Sequence, residues 1–150
     1  MKYQLPCPAL LLAVVDMTEA YKGQAKSVLC GVEMIDRRAF HVRDEITNAD
    51  REIRWGMVTA AEVELDGSHA LLRQGGKTLK AEILAPTGAK FEIASTRPPT
   101  NVEEQNQGTR MLTINAGGRL NATVTISVLM QPLNEHRAPL TLAAKPITEW

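Results

Sequence analysis

At 150 residues the chain has the length of one domain and enough of it to bury a core. Seventeen Lys and Arg balance 17 Asp and Glu, which excludes a global basic footprint for nucleic acid or for an anionic membrane surface. Aromatic residues make up 4% against 44% hydrophobic, so the core must come mainly from Val, Ile, Leu, Met and Ala.

In chain order, Lys2 and the apolar run at 9–15 have the outline of a signal peptide. The run is short, Pro6 and Pro8 interrupt its approach, and Asp16 ends it without a small-residue cleavage pattern. Ala, Leu and Val at 9–15 instead predict a buried strand, and no stretch nears the roughly 18 apolar residues needed to cross a bilayer. Residues 18–26 read as a loop or a single helical turn before a strand over Ser27–Ile35. Within 38–46, Phe40, Val42 and Ile46 share one face and Ala39, His41, Arg43 and Glu45 the other, the pattern of a half-buried antiparallel strand. Asp66-Gly67-Ser68 separates strands at 62–65 and 69–73, a hairpin signal, and Gln74-Gly75-Gly76 leads into another strand at 77–84. Pro86-Thr87-Gly88 closes that strand before one at 90–93. The polar stretch 96–109 is a long loop, either a binding element or a solvated excursion. Ala116-Gly117-Gly118 joins a strand at 111–114 to the last one, in which Leu120, Ala122, Val124, Ile126, Val128 and Met130 alternate with Asn121, Thr123, Thr125 and Ser127. Short strands at this turn spacing predict an all-β fold, an antiparallel β-sandwich of about eight to ten strands, as one domain over residues 1–150.

Few residues announce chemistry. His41 is the first candidate because His is the usual acid, base or ligand, but its place on a polar strand face beside Arg43 and Glu45 favours a solvated or hydrogen-bonded surface residue. His69 follows a hairpin turn and His136 lies in the Pro-containing tail, neither with a ligand cluster at hand. Asp44 falls in phase with Phe40, Val42 and Ile46, so its carboxylate sits on the apolar face and must be paired, strongly hydrogen-bonded, or raised in pKa. Arg37, Arg38 and Arg54 are the available partners, and a structural ion pair is preferred over a functional acid; Asp16, ending the first strand, carries the same two readings. Tyr21 and Lys22 have the chemistry to abstract a proton alpha to a carboxylate, but the pair is common and uninformative; no catalytic residue is assigned, and Tyr21 and His41 are the candidates that remain. Ser68 lacks a nucleophile elbow, and Asn121-Ala122-Thr123 matches a glycosylation acceptor in a secreted context. Cys7 and Cys30 are open to one disulfide or two buried thiols, and neither has a second Cys or His at zinc-ligand spacing.

Three strings carry a resemblance: VVDMTEAYKGQAKSVLCGVEMIDRRAFHVRDEI, LDGSHALLRQGGKTLKAEILAPTGAKFEI and RPPTNVEEQNQGTRMLTINAGG. In this order, with the final alternating strand and Trp150, they resemble the C-terminal β-region of heparinase II/III-type polysaccharide lyases over nearly the whole chain. The resemblance implies an α/α-toroid domain that precedes the β-region and holds much of the active site. It also implies acidic polysaccharide substrates, cleavage by β-elimination beside a uronate, and a periplasmic or extracellular location. Related sequences often carry a His in a Met-His-Thr-like string where this chain has Met57-Val58-Thr59. No metal is therefore carried over, although Asp16 matches another ligand position, and no cofactor is implied.

The expectation is a non-catalytic β-sandwich domain that packs against the toroid of a larger lyase, with Asp16 and Asp44 as structural residues. One rival is an independent carbohydrate-binding module, against which the scarcity of aromatic platforms counts: only Trp55, Trp150, Tyr3 and Tyr21. A free-standing lyase that recruits Tyr21, Lys22 and His41 is a third reading. A docking face left open predicts an exposed apolar patch and a homodimer.

Overall fold

The structure is a computed structural model that describes residues 10–133, 138–143 and 145–150. Its ten strands are β1 (Leu10–Asp16), β2 (Ser27–Ile35), β3 (Ala39–Thr47), β4 (Ile53–Thr59), β5 (Glu62–Asp66), β6 (His69–Gln74), β7 (Lys77–Ala85), β8 (Phe91–Ala94), β9 (Arg110–Ala116) and β10 (Thr123–Pro132). Single 3-10 turns at Thr18–Tyr21 and Ile147–Glu149 are the only helical pieces among the described residues.

Turn chemistry sets the hairpins. Gln74 pairs with Lys77, so Gly75 and Gly76 alone make the β6–β7 turn, and both have positive φ, 56° and 73°. Those are the backbone values of a type I′ turn, which matches strand twist and which glycine adopts at no steric cost. Asp66 pairs with His69 in the same way, across Gly67 at φ 59° and Ser68.

The strands form two antiparallel sheets of unequal width. The larger runs β1-β2-β3-β10-β7-β6-β5 and the smaller β4-β9-β8. They meet over one apolar core in which Leu112 and Ile114 of β9 oppose Ile126, Val128 and Met130 of β10, with Ala70, Leu72, Ala81 and Ile83 beside them. Side chains alternate between faces along each strand, and the register aligns them in rows. Val15, Cys30, Asp44 and Ile126 form one inward row across β1, β2, β3 and β10; Ala13, Val32, Val42 and Val128 form the next. The fold is the all-β sandwich that the alternation predicts.

Two local expectations are corrected, and one strand appears that the sequence reading does not predict. Over Leu10–Asp16 the apolar run becomes an edge strand, not a buried one: Leu11, Leu12, Val14 and Val15 are all exposed, because among the described residues β1 pairs only with β2 and the small sheet does not reach it. β4 carries no flanking turn signal in the sequence, yet Ile53–Thr59 is a strand of the smaller sheet, paired with β9. Leu120 lies before the last strand, 64% exposed in the turn, and β10 starts at Thr123. Cys7, with its possible partner bond to Cys30, and also Tyr3 and His136, fall outside the described residues.

Both faces of β10 are covered. Its outward residues Ser127, Leu129 and Gln131 are as buried as its inward ones. The cover is the C-terminal segment. Ala138 O accepts from Arg38 Nη2 at 2.6 Å, Leu140 N donates to Gln131 Oε1 at 3.0 Å, and Ile147 N donates to Glu45 Oε1 at 3.0 Å. The segment ends with Trp150 lying on Gly31, where an added Cβ would meet Trp150 Cζ3 at 2.8 Å.

Candidate functional site

A cleft opens where the small sheet stops short of the large one. Its floor is the inward face of β2 and β3, with Val28, Cys30, Val42, Asp44 and Ile46, and one wall is β4, with Ile53, Trp55 and Gly56. Met17, Tyr21 and Gln24 from the turn after β1, and Arg51, Glu52 and Arg54 at the start of β4, stand at its mouth. The cleft encloses about 470 Å³. The loop that carries Arg51 is held in place by Gly118, whose missing side chain leaves room for the backbone carbonyls of Arg51 and Ala49.

Asp44 is the polar group in this floor. The sequence places it on the apolar face, and the structure agrees, but without the arginine expected to pair with it. Arg38 is spent on Ala138 O, and Arg54 Nε donates to Asn115 Oδ1 at 3.2 Å. Arg37 sits in the β2–β3 turn with φ 54°. The ion-pair expectation is thereby corrected: Asp44 faces Cys30 across the β2–β3 register, and its buried Oδ1 has no hydrogen-bond partner among the described residues. Burial pushes the Asp44 carboxyl above its ordinary value, against a smaller lowering by the Cys30 thiol. The thiol is pushed up to about 12, by burial first and then by the hydrogen bond and charge of Asp44.

Asp16 has a local role. It is exposed at the end of β1, and its Oδ1 accepts the Thr18 N–H at 2.9 Å, an Asx turn that starts the 3-10 segment. These hydrogen bonds with Thr18 hold its carboxyl below the usual range.

His41 lies on the other face of the large sheet and is 4% exposed, which corrects its reading as a surface residue. Its Nδ1 is 2.7 Å from Glu33 Oε1 and its Nε2 2.7 Å from Ser127 Oγ. A carboxylate only accepts, so Nδ1 carries the proton and donates, and the Ser127 hydroxyl can match either role of Nε2. The Trp150 ring stands over it at 5.3 Å between centroids. Beside it Arg43 Nε donates to Glu45 Oε1 at 2.7 Å. The outward face is polar in sequence but covered in structure, so its polar groups are satisfied by one another. Glu33, Ser127 and Trp150 are the partners that sequence reasoning missed; only the phase of Glu33 relative to His41 carried a trace of them.

Tyr21, at the cleft mouth, and His41, beneath Trp150, are therefore on opposite faces of one sheet, and Lys22 is an exposed side chain 3.8 Å from Glu19. The structure does not bring these three into one site. His69 lies at the far end of the large sheet, 3.6 Å from Glu82. Among the described residues, no three His, Cys, Asp or Glu side chains gather as metal ligands. The cleft joins an apolar floor, with one carboxylate oxygen unpartnered among the described residues, to a rim that carries Gln24, Arg51, Glu52 and Arg54.

A seven-stranded antiparallel sheet overhanging a three-stranded one, closed by a C-terminal segment, defines a class of β-sandwich domain. No protein-family model matches the chain, and no curated protein matches it in sequence. Solved structures do match its fold. It is similar to a heparinase III gene product (TM-score 0.67, 16% identity, 85% of this chain and 20% of that one). It is likewise similar to the heparan sulfate lyase HepC from Pedobacter heparinus (TM-score 0.63, 12% identity, 87% and 21%). A further heparinase III structure matches at TM-score 0.59 and 17% identity, over 85% of this chain and 20% of its own. The chain thus has the fold of one part of these proteins and spans about one fifth of their length.

Proposed function

We propose that this chain is a non-catalytic C-terminal β-sandwich domain of a heparinase II/III-like polysaccharide lyase. Its parent would cleave an acidic polysaccharide by β-elimination beside a uronate, in the periplasm or outside the cell. The domain contributes architecture: it packs against the catalytic α/α-toroid domain and shapes one side of the substrate path. The observation that carries this reading is the fold match along 85–88% of the chain to heparinases and a heparan sulfate lyase. The dispersal of Tyr21, Lys22 and His41 supports the assignment of chemistry to another part of the parent.

A second reading, an independent carbohydrate-binding module, is favoured by one observation. Trp55 and Tyr21 flank the cleft together with Arg51, Arg54 and Gln24, the mixture of ring face and polar rim that suits a sugar. One experiment separates the two. The chain is incubated with heparan sulfate, other glycosaminoglycans and alginate while unsaturated-uronate absorbance is followed, and binding to the same polymers is titrated in parallel. The architectural reading expects silence in both; binding without turnover that Trp55→Ala abolishes establishes the module; turnover that Tyr21→Phe abolishes overturns both.

A further inference from the structure

The two layers of the sandwich do not end together. Strands in a sheet lie about 4.8 Å apart and stacked sheets about 10 Å apart, so seven strands span roughly 29 Å where three span roughly 10 Å. The uncovered part of the large sheet is the inward face of β1 with the neighbouring ends of β2 and β3, at Val32, Met34 and Phe40; further along, Val28 and Ile46 are buried. The open part is apolar: Leu11, Val15, Met34 and Phe40 are 47%, 55%, 39% and 38% exposed, and Ala13 and Val32 lie between them. Beside this shelf runs β4, which pairs with β9 on one side and, among the described residues, with nothing on the other. Its free backbone edge faces the cleft, and in the floor of the cleft lies the unpartnered Oδ1 of Asp44.

We propose that this flank receives an extended strand of a partner polypeptide, which pairs with the free edge of β4, lays apolar side chains on the shelf and places one Lys or Arg in the cleft against Asp44. Each part of the occupant's chemistry answers a separate feature. An unpaired strand edge is satisfied by main-chain hydrogen bonds from another strand. A strand added to β4 falls directly above the open part of the large sheet, where alternate residues point at Val32, Met34 and Phe40. The charge at the inward position follows from the cleft's own groups. Arg54 is engaged by Asn115, and Arg51 lies against Asp50 at 4.0 Å. The two arginines and two carboxylates of the lining balance in number, but among the described residues no cation pairs with Asp44, whose Oδ1 has no partner, so a cation placed there complements it. Burial holds the Asp44 carboxyl towards its neutral form while it is alone; a cation beside it restores the charged form, and charge-assisted hydrogen bonds are the strong ones. The inference does not depend on the lyase reading: a silent polysaccharide assay leaves it standing, and its own failure leaves the lyase reading intact.

The test uses the full chain, labelled with nitrogen-15, and a seven-residue blocked peptide, acetyl-Thr-Val-Thr-Lys-Thr-Val-Thr-amide, which puts valine and lysine on one face. The proposal expects saturable shifts of the amides of β4 and of the 30–34 stretch. It expects the peptide with norleucine for lysine to bind about tenfold more weakly or worse. Asp44→Asn should erase that difference while leaving the norleucine peptide unaffected, and N-methylation of the peptide along one edge should abolish binding. No binding at millimolar peptide overturns the proposal, as does equal binding of the lysine and norleucine peptides, or shifts confined to β1. A dimer seen by sedimentation that excess peptide does not dissociate also overturns it, because a second copy would then own the flank.

Discussion

Cys30 and Asp44 stand opposite one another in the β2–β3 register, so a thiol and a carboxylate share one row of the sheet with Val15 and Ile126. Burial raises the pKa of both; Asp44 raises that of the thiol further, whereas the thiol's hydrogen bond partly lowers that of the carboxyl.

The thiol is the easier to follow. With its pKa pushed up to about 12, Cys30 holds almost no thiolate at pH 8, and thiolate is the reactive form. In a Cys7→Ser background, iodoacetamide should modify Cys30 about a hundredfold more slowly than a free thiol. Adding Asp44→Asn should speed the reaction, because the carboxylate's charge is gone while most of the burial stays. Alkylation at the free-thiol rate would refute the placement of Cys30.

Asp44 predicts a pH dependence of stability. Its folded pKa lies above the ordinary 3.8, so the folded state holds its proton more tightly than the unfolded one. The stabilising contribution is complete below that ordinary value and is lost as pH rises through the raised one. Asp44→Asn, which cannot ionise, should match the wild type in urea at pH 3 and exceed it by about 1 kcal/mol at pH 7. A wild type that gains on the variant as pH rises would reverse the sign and show that a cation already sits on the carboxylate.

His41 predicts a loss. His41→Ala leaves Glu33 and Ser127 facing a buried hole, each without its partner, and should cost about 3 kcal/mol in urea denaturation. A cost below 1 kcal/mol, marked roughly by an exposed-site substitution, would mean that water reaches the network and Trp150 does not cover it.

Gly31 and Trp150 should be coupled. The Cβ of Gly31→Ala would meet Trp150 Cζ3 at 2.8 Å and Ile147 Cγ1 at 3.2 Å, so the Trp150 ring must shift, alone or with the segment that carries it. The substitution is expected to cost about 2 kcal/mol in the wild type and about 1 kcal/mol less in a Trp150→Ala background, measured as a double-mutant cycle. Additive costs would place the ring elsewhere.

Alternation told which side chains share a face, and on β3 and β10 it did so correctly over most of their length. It could not tell what covers a face. His41 lies on the face with Arg43 and Glu45, which reads as solvated, yet Ile147 and Trp150 fold back over it from a hundred positions along the chain, as the Ile147–Glu45 bond and the Trp150 ring show. The converse holds at β1: six apolar residues in a row promise burial, but burial needs a second layer, and the small sheet ends at β4. β4 itself, Ile-Arg-Trp-Gly-Met-Val-Thr, has inward residues Ile53, Trp55 and Met57 in alternation, but Gly56 inside it and the absence of a turn motif before it masked the strand. For Asp44, the phase gave the burial; the partner was decided by register, which puts Cys30 and not an arginine beside it.

The sandwiching of β10 between core and C-terminal segment has a consequence for how the molecule breathes. A strand whose neighbours lie on both edges and both faces cannot release its amide protons by fraying; they exchange only when the whole sheet opens. β1, bonded along one edge and bare on both faces, can peel away alone. In deuterated solvent the large sheet should therefore exchange as a gradient, β1 first, β2 next and β10 last, so that the overhanging flank lives at a lower local stability than the centre it extends from.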